Sequence, residues 1–207
     1  MIVCLSDGAQ RLKNLIKTRS ITVKSKKIFS IYDLCMMGVF AAIIAVMAQI
    51  IVPLPYGVPI TLQTLAIPLA GVVLGSKRGT ITTILYILIG AVGVPVFAGF
   101  TGGLGIVFGP TGGFILSFPF LALAAGIGAE KNNRWWLWGG IIVGVLVNYI
   151  CGVVYFSIFT SNDLITSFVA CVLVFIPGDI LKITAVALLG ERIRKLLLQR
   201  GLANTNS

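Results

Sequence analysis

The chain has 207 residues, 57% of them hydrophobic and 11% charged, with a mean hydropathy of +1.04. That composition excludes a soluble globular protein and predicts an all-α integral membrane protein. The formal net charge of +10 belongs to no separate basic domain, so nucleic-acid binding is a poor reading of it.

In the first 32 residues, Leu5, Ala9, Leu12 and Ile16 recur at helical spacing with Arg11, Lys13 and Lys17 between them. Such a segment is either a basic amphipathic helix on the inner leaflet or an unstructured basic tail. It is not a signal peptide, because its apolar start is brief and precedes the charges. Six apolar segments follow, at about residues 34–52, 60–75, 80–94, 114–129, 135–159 and 168–190. A helix rising ~1.5 Å per residue crosses a ~30 Å hydrocarbon core in about twenty residues, so the shorter segments lie with little tilt. Proline, glycine and charge separate them at 53–57, 76–79, 95–113, 130–134 and 161–163. No charged residue lies between Arg78 and Glu130, a gap that fits two spans and a loop.

The basic residues orient this bundle. Seven precede the first span; Lys77 and Arg78 follow the second, Lys131 and Arg134 follow the fourth, and Arg192, Arg194, Lys195 and Arg200 follow the last. Six spans put all of these on one side, and the positive-inside rule makes that side, with both termini, cytoplasmic.

Several chemistries are missing. The chain has no histidine, and Cys4, Cys35, Cys151 and Cys171 lack metal-site spacing. Neither a GxSxG nucleophile elbow nor a GxxxxGK[ST] phosphate loop occurs. Gly103, Gly105 and Gly109 have the wrong spacing for a dinucleotide fingerprint. No catalytic residue, metal site, cofactor or ATP site is predicted.

Two features point to a ligand instead. Residues 94–113 (VPVFAGFTGGLGIVFGPTGG) hold too much glycine for a regular helix and too much Phe, Leu, Ile and Val for a solvated loop. A lid resting on a pocket accounts for both. Asp179 and Lys182 stand in the otherwise uncharged stretch 168–190. A lone charge there would cost on the order of 3 kcal/mol or more, and spacing i,i+3 lets the two neutralise each other on one helix face. The pair is either a structural ion pair or a polar site facing a cavity. Asn148 and Tyr149 in the fifth span serve either as ligands or as ordinary interhelical hydrogen-bonding residues.

The motifs PITLQTL at 59–65, GSKRG at 75–79, and Tyr86, Gly90 and Gly93 ahead of PVFAG at 95–99 stand in order along the chain. GGLG at 102–105, GPTGG at 109–113 and PGD at 177–179 with Lys182 complete the set. Through them residues 33–198 resemble the BioY biotin transporters, the substrate-capturing S components of energy-coupling factor (ECF) transporters. The resemblance implies a six-helix S-component bundle in the cell membrane, with the glycine-rich outer loop over a pocket that takes up biotin with high affinity. Residues 1–32 are then an added cytoplasmic extension and 199–207 a cytoplasmic tail.

The implied biotin-binding residues are Thr61, Gln63, Tyr86, Phe97, Gly99, Gly102, Gly103, Asn148, Tyr149, Asp179 and Lys182. Asp179 suits the ureido N–H groups and Lys182 the ureido oxygen, although the sequence leaves open which end of biotin Lys182 meets. The implied partners are a transmembrane coupling subunit and two ATP-binding subunits, which consume the ATP. Ala41 and Ala45 form a small-x3-small pair of the kind S components use against the coupling subunit. Gly71 with Gly75 and Gly140 with Gly144 share that spacing, so it does not single out a partner face. The alternative is a solitary or oligomeric biotin carrier working without the ATPase module.

Segregation of charge generates a topology test. In intact cells, a membrane-impermeant thiol reagent should label a cysteine placed within 97–109 and spare one placed by Lys131→Cys. Labelling of position 131 from outside would overturn the orientation.

Overall fold

The computed structural model describes residues 30–53, 58–131 and 133–199, so the N-terminal extension ahead of Ser30 and the tail beyond Gln199 lie outside the described residues. The membrane domain starts with helix α1 (Ile31–Ala48). The apolar run to residue 52 predicts a longer helix, but the chain leaves it after Ala48 and enters strand β1 (Ile51–Val52). Two β-branched residues ahead of Pro53 favour extended backbone, and a proline disfavours helix in the residue before it. Strand β2 (Ile60–Thr61) returns antiparallel to β1, with Ile51 opposite Thr61 and Val52 opposite Ile60. The second apolar segment is therefore helical only over α2 (Gln63–Leu74).

Helix α3 (Ser76–Ala91) starts one residue after α2 ends, where the sequence predicts a turn over 76–79. Gly75 alone makes the reversal, at φ 89°, a conformation a residue with Cβ rarely adopts. After α3 the glycine-rich segment holds a short helix, α4 (Leu104–Val107), and then come α5 (Gly112–Glu130) and α6 (Arg134–Thr160). The Asn133 side chain caps α6 by accepting from Trp135 N–H at 3.0 Å. The last apolar segment is broken into α7 (Leu164–Phe168), a π-helical stretch (Val169–Leu173) and α8 (Ile176–Gln199), with a bend of 49°.

By length and apolarity, α1, α5 and α6 can each cross a membrane, and the bent α7–α8 pair makes a fourth span if taken as one. Helix α2 is apolar but has only 12 residues, and α3 opens on Lys77 and Arg78. The helices are turned inside out relative to a soluble protein: Leu116, Phe120, Leu146, Ile150 and Ile158 are exposed, whereas Gln63, Asn148, Asp179 and Lys182 are buried. That distribution is what a lipid solvent selects.

Helix α5 lies centrally, against α2, α3 and α6. Small residues make the close approach possible: a Cβ on Gly71 would stand 2.2 Å from the Ala122 carbonyl oxygen. At one end of the bundle, charges satisfy the helix termini. Arg78 pairs with Asp33 at 3.2 Å, Glu130 accepts from Ser76 N–H at the start of α3, and Arg194 donates to the Val72 carbonyl near the end of α2.

Candidate ligand-binding site

The bend between α7 and α8 places a charge inside the bundle. Pro177, which has no N–H, sits in the first turn of α8, where an N–H would have no helical acceptor. Asp179 falls in the same turn, and the positive end of the helix dipole favours its carboxylate. One turn on, Lys182 Nζ donates to Asp179 Oδ1 at 2.7 Å. Both side chains are buried.

Three other elements complete the pair. Lys182 also donates to the Thr61 carbonyl at 2.9 Å and to Thr64 Oγ1 at 3.0 Å, so each Nζ hydrogen has an acceptor. Thr64 in turn donates to Asp179 Oδ1 at 3.3 Å, and the Tyr149 hydroxyl of α6 donates to Oδ2. Burying two charges is tolerated only when their remaining hydrogen-bonding capacity is met, and here β2, α2 and α6 meet it.

This network forms part of the wall of a cavity of about 260 Å³. The hairpin return contributes Val58 to Thr61, the first turn of α2 Gln63 and Thr64, and the glycine-rich segment Phe97, Ala98, Thr101 and Ile106. Phe114, Ile115, Phe118 and Phe175 make an apolar wall. Asn148 lines the cavity with both amide hydrogens engaged, by Phe114 O at 3.1 Å and Ser117 Oγ at 2.7 Å, which leaves its carbonyl oxygen to accept. A second chain of bonds runs from Thr61 Oγ1 to Gln63 Oε1 at 3.0 Å, from Gln63 Nε2 to Tyr86 at 2.7 Å, and from the Tyr86 hydroxyl to Val96 O at 2.9 Å.

Of the residues singled out in the sequence, Thr61, Gln63, Phe97, Asn148, Tyr149, Asp179 and Lys182 come together on the cavity wall. Tyr86 stands behind Gln63 and packs edge-on against Phe97, with ring centres 5.7 Å apart. Gly99, Gly102 and Gly103 are not among the lining residues. They shape the loop: Gly99 and Gly103 adopt φ 71° and 101°, and a Cβ on Gly102 would meet Val94 O at 2.4 Å. Ala41 and Ala45 are half-buried on α1, apart from the cavity. Thr64 and Ser117 were missed, though Thr64 stands i+3 from Thr61 in an apolar stretch, which is a readable signal. Among the described residues, no group of acidic or cysteine side chains could hold a metal ion.

The BioY family model matches residues 20–199. The chain belongs to the BioY family. Similar BioY proteins include "Biotin transporter BioY" of Thermotoga maritima, 38% identical over 165 residues, covering 79% of this chain and 96% of that protein. "Probable biotin transporter BioY" of Pyrococcus horikoshii is 37% identical over 162 residues, covering 78% and 96%. The fold is similar to the crystal structure of an S-component for biotin from an ECF-type ABC transporter, with a TM-score of 0.74 and 28% identity over 84% of this chain and 94% of that one. In this BioY chain the Asp179–Lys182 pair, the Asn148 side chain and the phenylalanine wall thus line one cavity.

Proposed function

We propose that this chain captures biotin at high affinity as the S component of an ATP-driven ECF transporter in the cell membrane. The observation that carries the reading is the buried Asp179–Lys182 pair on the wall of an otherwise largely apolar cavity. Biotin combines an apolar bicycle and valerate chain with a ureido group that has two N–H donors and one carbonyl acceptor. Asp179 Oδ2 and the Asn148 carbonyl oxygen supply acceptors for those donors. Lys182 gives the ureido oxygen one hydrogen in exchange for the Thr61 carbonyl, and Tyr149 holds the Asp179 carboxylate in place. Phe114, Phe118 and Phe175 pack on the apolar body. The carboxylate then meets the Thr111 hydroxyl beside the glycine-rich loop.

In this reading α1, α2, α3, α5, α6 and the bent α7–α8 pair are six crossings. The glycine-rich loop is the outer cover, held by Gln63, Tyr86 and Phe97, and both termini are cytoplasmic. The charged end of the bundle, with Arg78, Glu130 and Arg194, supports that orientation. Ala41 and Ala45 offer a close-packing surface for the coupling subunit. The chain is not an enzyme and holds no cofactor: two partner subunits bind and hydrolyse the ATP.

Asp179→Asn and Lys182→Met should each weaken biotin binding in folded protein by roughly tenfold to 150-fold, the worth of one hydrogen bond to a charged group. Calorimetry on detergent-purified variants measures this, and unchanged affinity in both would sink the assignment. Wild-type protein should bind biotin without ATP, whereas accumulation against a gradient in vesicles should require the ATP-binding partners. Accumulation by the chain alone would favour the solitary carrier.

A further inference from the structure

Gln49 follows the last turn of α1 and takes no part in the cavity wall. Its side chain is nevertheless fully committed. Nε2 donates to the Ala45 carbonyl at 3.0 Å and to the Phe97 carbonyl at 3.2 Å, and Oε1 accepts from Phe100 N–H at 2.8 Å. The Ala45 bond serves one of the unpaired carbonyls at the helix end and fixes the direction of the amide. The other two bonds grip a single tight turn of the glycine-rich segment.

That turn is closed by Phe97 N–H donating to Thr101 O at 2.9 Å, and by Thr101 Oγ1 donating to Ala98 O at 2.9 Å. Phe97, Ala98 and Thr101 line the cavity. Phe100 stands at φ 56°, in the left-handed region that residues with a side chain rarely occupy. Its ring is 73% exposed, so side-chain packing does little to hold it there. The bond from its N–H to Gln49 does. Such a conformation persists only where surrounding contacts impose it.

The segment's other attachments lie on either side of the turn: behind it, Gly103 N–H donates to the Gly90 carbonyl at 2.7 Å. Tyr86 is buried and bonds Val96 O, and its ring packs against Phe97, which is 1% exposed. Residues 96, 97 and 103 are thus anchored in the bundle, whereas the tip between them is gripped by the partly exposed Gln49 amide.

We infer that Gln49 is a positioning residue that latches the 98–101 turn over the ligand and so sets how long a bound ligand stays. The inference rests on the reading of the cavity as the biotin site. Opening the turn requires both Gln49 bonds to break together, after which the left-handed Phe100 backbone relaxes and favours the open form. Loss of the amide should speed ligand escape, and entry, which also passes through the open form, should not slow.

The test uses tritiated biotin on the full chain in lipid nanodiscs, with dissociation followed after a chase of unlabelled biotin. Gln49→Ala should release biotin about tenfold faster, with an association rate no lower than that of wild type. Gln49→Glu keeps the acceptor for Phe100 but sets an oxygen against the Phe97 carbonyl, so it should release at least as fast. It also covers the case in which the alanine variant does not fold. Dissociation within twofold of wild type from a folded variant that binds one biotin per chain would overturn the latch. Failure of the wild-type chain to retain biotin would instead overturn the reading of the cavity.

Discussion

Two opposite charges enclosed in an apolar bundle constrain the helices around them. Each ion loses several kcal/mol of hydration on burial, and their mutual attraction compensates only when the leftover donors and acceptors are met. Lys182 has three hydrogens and Asp179 two oxygens, and no single helix can serve them. The end of β2 through Thr61, the first turn of α2 through Thr64, and the middle of α6 through Tyr149 do so. The helix positions and the pair's chemistry are one arrangement, because shifting either helix would strand a buried charge. Breaking such a pair by removing one partner typically costs about 3–5 kcal/mol, a large share of a membrane domain's stability.

The pair also explains why the last span is bent. An unbroken helix would give Asp179 no favourable dipole, because the end charges act only within the terminal turns. The π-helical stretch and the bend of 49° start a new helix inside the bundle, with Pro177 and Asp179 in its opening turn. The same break brings Phe175 onto the cavity wall, so one irregularity supplies both a polar anchor and part of the apolar surface.

Much of this was legible in the chain. A charge pair in an otherwise uncharged stretch of 23 residues is conspicuous, and hydropathy alone marked where each long helix lies. The ends of the first two spans were not legible from hydropathy, since Ile51, Val52 and Ile60 are as apolar as any helix residue. Their β-branching beside Pro53 and Pro59 decided for a hairpin. Gly75 reverses the chain alone because Glu130, 54 positions from Ser76, meets the first N–H of α3, and no local pattern announces that contact. The turns that Gly99 and Gly103 make and the close contact at Gly102 depend on backbone geometry that composition does not announce. Ser117 and Gln49 act through partners far along the chain, which spacing in a single sequence cannot reveal.

The central claim is that Asp179 and Lys182 read a ligand as well as satisfying each other. The most direct measurement is biotin affinity of the double variant Asp179→Asn with Lys182→Met, made after its thermal unfolding has been recorded. Removing both charges leaves no unpaired ion, so the protein should fold, and the account predicts that it stays defective in binding because neither ligand contact has returned. Near-native affinity in the folded double variant would contradict it and leave the two residues as a structural ion pair.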